Sequence, residues 1–199
     1  MVRKLRVQDN AMARPRSDDR RSAILETATR IIAAQGLSAP TALIAKEAGI
    51  ATGSLFTYFE TKAALLNVLY VELKTEMATA ALDGLPTDQD ARRQLAHMWS
   101  GWVNWATLEP DKRRALAQLS VSDEITQQSR EIGHRSMAGV AALLERSREN
   151  GPMRGAPLGL VANLLNAAAE ATVDFILVDP ANADTHRQTG FDAMWRMIA

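Results

Sequence analysis

Apolar residues recur along this chain at spacings of three and four, and no stretch shows the alternation of a strand. The pattern predicts an all-α protein of about nine helices. The first repeat is Ile24, Leu25, Ala28, Ile31 and Ile32, with Ser17, Asp18 and Asp19 ahead of it as cap and acidic first turn, and Gly36 behind it. Pro40 suits the start of a short second helix. Leu66, Leu69, Leu73 and Met77 mark a longer helix opened by Thr61, and Asp83-Gly84-Leu85-Pro86 is the first break after it. Thr87 with Asp90 resembles a capping box for a helix over about 88–107, and Glu109-Pro110 separates that helix from one over about 111–120. Ser120 and Ser122 compete to cap a long helix reaching Asn150-Gly151-Pro152, with Gly133 and Gly139 inside it. Pro157 opens a helix that Asp179-Pro180 ends, and a last helix follows from about Asp184.

The stretch Thr41–Lys62 departs from this run of long helices. Ile44, Ala45 and Ala48 give a short helix a small apolar face, Gly49 supplies a turn, and Ile50 and Leu55 bracket a second short helix. Ala45, four residues before the glycine, lets the two approach closely. This is the helix-turn-helix layout, in which the second helix enters the major groove of DNA. Gly53-Ser54-Leu55-Phe56-Thr57-Tyr58-Phe59, followed by Thr61-Lys62 and Leu65-Leu66, resembles the TetR family of bacterial one-component transcriptional regulators. The likeness covers about residues 20–66. Ala51 stands where that family usually has a capping Ser, Thr52 where Lys is frequent, Phe56 where Tyr is common, and Ala42 where a basic residue is frequent.

Within 51–59 there is no Arg, Lys, Asn or Gln, so bidentate pairing to guanine or adenine is unavailable. Base reading there would rest on Thr52, Ser54 and Thr57, on apolar contact with thymine methyls, and on water. Gly53 would let the backbone come close to the DNA, and Thr41 joins these residues as a DNA-binding candidate. The resemblance implies that Tyr58 and Lys62 contact phosphates, which fix position while base contacts fix sequence. Phe56 and Phe59 are expected to pack between helices.

Charge sharpens the picture. The net charge is zero, yet residues 1–62 carry ten Lys/Arg against six Asp/Glu, and the rest carry thirteen against seventeen. A basic end on an acidic chain fits local phosphate contact. Arg3, Lys4, Arg6, Arg14 and Arg16 make residues 1–16 a basic arm, either laid on DNA or untethered. That start lacks an apolar run and is not expected to be a signal peptide. Asn163, Asn166, Glu170 and Asp174 interrupt 158–178, so no membrane span is expected. The chain has no cysteine, which excludes disulfides and thiolate metal sites and suits the cytoplasm. His97, His134 and His186 stand in no metal spacing, and no nucleophile elbow, Walker loop or dinucleotide fingerprint occurs. No enzyme activity, catalytic residue, metal or cofactor is expected.

Three constellations lie beyond the resemblance. Leu95, Met98, Trp99, Trp102 and Trp105 fall within about a third of a helix circumference. They form either ordinary core or the aromatic wall of an effector pocket. Asn163, Asn166, Glu170 and Asp174 share one face of an apolar helix, where Asn166, Glu170 and Asp174 would orient a polar or cationic ligand or form a solvated stripe. Phe191, Met194, Trp195 and Ile198 form a stripe too wide to leave in water. It is buried either within the subunit or at a dimer interface, since in the TetR family the last two helices pair across a two-fold axis.

The expected protein is a homodimeric, ligand-responsive regulator, a repressor by preference. Residues 1–66 would bind a double-stranded DNA operator, and 67–199 would hold a small, largely apolar effector and the partner copy. The alternative is a helical small-molecule-binding or scaffold protein that no longer reads DNA. The weak base-reading chemistry of 51–59 keeps it open, and a gel shift against DNA upstream of the protein's own reading frame discriminates the two.

Overall fold

The structure is a computed structural model and describes residues 13–199. Helical periodicity throughout gives ten α-helices and a short 3-10 turn among those residues, and no strand. The all-α expectation therefore holds. The N-terminal end comprises α1 (Ala13–Gln35), α2 (Thr41–Glu47) and α3 (Thr52–Tyr58), and α4 (Lys62–Leu82) leads into the body. The body continues with α5 (Ala91–Leu108), α6 (Pro110–Ser120), α7 (Gln127–Ser136), α8 (Ala138–Ser147), α9 (Leu158–Val178) and α10 (Ala183–Ile198).

Where the elements begin differs from the sequence expectation in three places. Helix α1 starts at Ala13, so Ser17, Asp18 and Asp19 lie inside it. Pro15 falls in its first turn, where amides have no intrahelical partner to lose. Of the expected arm, residues 1–12 lie outside the described residues and 13–16 are helical. Helix α5 is capped by Asp90, whose carboxylate accepts from the Arg93 amide at 2.9 Å, and Thr87 stays in the preceding loop. The long helix expected up to Asn150 is two helices. Thr126 caps the first by accepting from the Ser129 amide at 3.2 Å, while Ser122 accepts from the Glu124 amide at 3.1 Å in the loop. The break at Met137 lets α7 lie along α4 while α8 turns towards α5.

Helix α4 is the axis of the assembly, packing against α1 at one end and α5, α6, α7 and α8 along the rest. Leu65, Leu66, Leu69, Leu73 and Met77 are among its buried positions, matching the sequence repeat. The division expected at 66/67 thus falls within one continuous helix. Thr61 caps it by accepting from the Ala64 amide at 3.0 Å. Asn67 ties its first turns to the α6–α7 loop, donating to the Glu124 carbonyl and accepting from the Thr126 amide, each at 2.8 Å. Helix α6 reaches back to α1, where Gln118 donates to the Ile32 carbonyl at 3.1 Å. Helices α5, α9 and α10 close the far side.

Candidate functional site

The helix-turn-helix end is assembled by short-range chemistry. Helix α2 stops because Gly49 takes φ +69°, with its amide on the Lys46 carbonyl at 3.1 Å and the Ile50 amide on the Ala45 carbonyl at 3.0 Å. That pair of bonds is a Schellman cap. A Cβ on Gly49 would meet nothing within 4 Å, so the glycine is required for its backbone angle alone. Helix α3 then starts at Thr52, and Ala51 at its N-cap position offers no side-chain hydrogen bond. Its inner face is Leu55, fully buried, and the adjoining Phe59 is buried with the Arg21 guanidinium 5.4 Å above its ring.

The outer face of α3 carries Thr52, Gly53, Ser54 and Thr57, all exposed. Tyr58 and Lys62 are half-buried at the junction with α4, and Thr41 is half-buried at the start of α2. Ser54, Thr57 and Tyr58 share a groove with Gly49, Ile50 and Arg20 of α1. The sequence reading missed Arg20, whose only signal was membership of a basic pair. Phe56 corrects an expectation: it stands 42% exposed on the outer face instead of packing between helices.

A cavity of about 580 Å³ opens between α4, α5, α7, α8 and α9. Its wall is apolar, built from Met77, Met98, Trp102, Val140, Leu144 and Leu165, with Lys74, His134, Asn163 and Asn166 as its larger polar side chains. That size and make-up suit a small-molecule site. Of the predicted pocket residues, Met98, Trp102 and Asn166 line it. The structure takes four others away. Trp99 is fully buried against α10, its indole donating to the Arg187 carbonyl at 3.0 Å. Trp105 turns towards α4 and donates to Glu76 at 3.0 Å. Glu170 and Asp174 accept from the Arg113 guanidinium on α6 at 2.9 and 2.8 Å. Burial raises the Glu170 pKa, which Arg113 counters and Asp174 reinforces. The polar stripe of α9 is thus divided along its length, amides to the cavity and carboxylates to an arginine.

The residues expected at a dimer interface are largely covered within the subunit. Phe191, Met194 and Ile198 are buried within the subunit, and half-buried Trp195 stacks on Phe191 at 6.2 Å. Phe191 in turn meets Trp99 at 6.5 Å, and Arg92 lies over the rings of Phe191 and Trp195. The stripe of α10 is therefore covered by α5 and α9 of its own chain. What remains in water is a row on α9: Leu160, Leu164, Ala167, Ala171, Phe175 and Val178, all exposed. The row keeps to one helix face at helical spacing. Its signal was present in the sequence, masked by the apolar character of the whole helix. By length and composition alone α9 could cross a membrane, but its other side packs on α5, α8 and α10.

A helix-turn-helix end on an all-helical body defines a DNA-binding type of transcriptional regulator. Residues 24–69 match the family described as bacterial regulatory proteins, tetR family. The chain is 30% identical over 170 residues to the HTH-type transcriptional regulator EthR of Mycobacterium tuberculosis, covering 81% of this chain and 77% of that one. It is 32% identical over 136 residues to the uncharacterized HTH-type regulator YhgD of Bacillus subtilis, spanning 66% of this chain and 64% of that relative. A crystal structure of a TetR-family regulator from Shewanella superimposes with a TM-score of 0.79 at 28% identity, covering 88% of this chain and 96% of that one. The chain belongs to the TetR family of transcriptional regulators. These relatives are regulators, not enzymes.

Proposed function

We propose that this chain is a homodimeric repressor that holds a near-palindromic operator with two α3 helices and releases it when a small, largely apolar effector fills the cavity beside α4. One observation carries the reading. Helix α3 is anchored by Leu55 and the adjoining Phe59, which leaves Thr52, Gly53, Ser54 and Thr57 together in water. In this reading those residues meet base edges through hydroxyls, water and close backbone approach, Tyr58 and Lys62 hold phosphates, and Thr41 sits beside them. Residues 1–66 act as the DNA-binding unit and 67–199 as the effector and dimer unit, working in the cytoplasm.

The exposed apolar row of α9 supports pairing with a second copy. A contiguous apolar face is costly in water, and two-fold pairing would bury it while presenting two α3 helices to successive major grooves. The effector would then favour a spacing of the two helices that no longer fits both half-sites.

Fluorescence anisotropy with labelled duplex from upstream of the protein's own reading frame tests the proposal. Salt-sensitive binding of two chains per site is expected, well above that to a scrambled duplex. Equal binding to both duplexes would overturn it.

A further inference from the structure

Among the described residues Lys74 is the one lysine or arginine in the cavity wall, and no aspartate or glutamate lines it. The side chain is held in place: its stem lies against the α7 backbone at Gly133, where a Cβ would come within 3.3 Å of Lys74 Cγ and 3.0 Å of Tyr70. Several other cations of the body have carboxylate partners. Lys112 meets Glu76 at 2.7 Å, Arg113 meets Glu170 and Asp174, and Arg148 meets Glu145 at 2.6 Å. Lys74 has none among the described residues, and burial pushes its pKa down. Lys74 is half-buried, and an ammonium partly withdrawn from water without a counter-charge is unfavourable. The carboxylates of α9 cannot supply one, because Arg113 already holds both.

We propose that the effector is an amphipathic anion whose carboxylate pairs with the Lys74 ammonium while its apolar body lies on Met98, Trp102 and Leu144. The inference rests on reading the cavity as the effector site and gives that site its chemical class. It reverses the cationic preference that Glu170 and Asp174 suggest in the sequence. Desolvation makes the pairing selective: an ammonium in an apolar wall gains more from a carboxylate than from a hydroxyl, and repels a second ammonium.

Three ligands with one apolar tail and different headgroups separate the outcomes: decanoate, decanol and decylamine, titrated into the full chain with Trp emission as readout. Decanoate is expected to bind about tenfold or more tighter than decanol, with decylamine weakest. Lys74→Met should erase the decanoate advantage and leave decanol binding in place, while Lys74→Arg keeps the preference. Lys74→Met should also melt no lower than the parent, since it removes an unpaired charge, so a loss of decanoate binding cannot be put down to misfolding. Equal binding of decanoate and decanol by the parent, or equal loss of both in Lys74→Met, would overturn the anionic class while leaving the cavity as an effector site. No response to any of the three, with Trp102→Ala behaving like the parent, would overturn the cavity reading and this inference together.

Discussion

The DNA-facing end and the body are made of the same amphipathic helices, but different things decide their structure. In the first, each turn is settled within a few residues: Gly49 ends α2, Leu55 anchors α3, and Thr61 opens α4. In the body, the outcome depends on partners far along the chain. Trp99 is fixed by the Arg187 carbonyl, and Arg113 by two carboxylates of α9. Local chemistry makes an interface that a reader of the sequence can assemble. Long-range pairing decides which stripes face a cavity, a partner or the core.

The sharpest way to break that comparison is Phe175→Asp. Phe175 is 66% exposed, so the monomer should stay folded, while the dimer and its bivalent grip on DNA are lost. Operator affinity should fall by about a hundredfold or more. Sedimentation showing an intact dimer would remove the α9 row from the interface. Phe191→Ala tests the neighbouring stripe from the other side. It should cost about 3–5 kcal/mol in urea unfolding, because it empties packed core. Dissociation with an unchanged unfolding midpoint would return α10 to the interface.

Smaller effects are expected at the DNA-facing end. Gly49→Ala should cost about 1–2 kcal/mol, purely from forcing a Cβ into the left-handed region, and should leave ligand binding in the cavity intact. A neutral result in chemical denaturation would mean that the turn can relax. Lys62→Ala should lower the salt slope of operator binding by about one unit per half-site without changing sequence preference. An unchanged slope would remove Lys62 from the phosphate contacts.

Much of the fold was legible because amphipathic repeats and turn residues act locally. Leu66, Leu69, Leu73 and Met77 are buried as their spacing requires. Less of the body's candidate site was legible. Asn163, Asn166, Glu170 and Asp174 do share a face, but over that length the neighbouring helix changes from the cavity wall to α6. Nothing near Arg113 in sequence announces that it takes the last two. Lys74, between Leu73 and Thr75, carries no signal of its own, since its isolation is a property of the cavity around it. The stripe of α10 was correctly seen as needing cover, and only packing could say that α5 and α9 provide it.

Helix α4 begins at Lys62 and also forms part of the cavity wall, so under the proposed function it would act as a lever. Lys74 stands about 18 Å along the axis from Lys62, at 1.5 Å of rise per residue. A tilt of about 5° pivoting near Lys74 would carry the Lys62 end through an arc of about 1.5 Å, roughly three times the spread of good hydrogen-bond lengths. Related by a two-fold axis, the paired ends would move in opposite senses, so the mismatch against rigid DNA would add up to about 3 Å. An event too small to see in the core would thus be magnified, by leverage alone, into a misfit that the double helix could meet only by deforming.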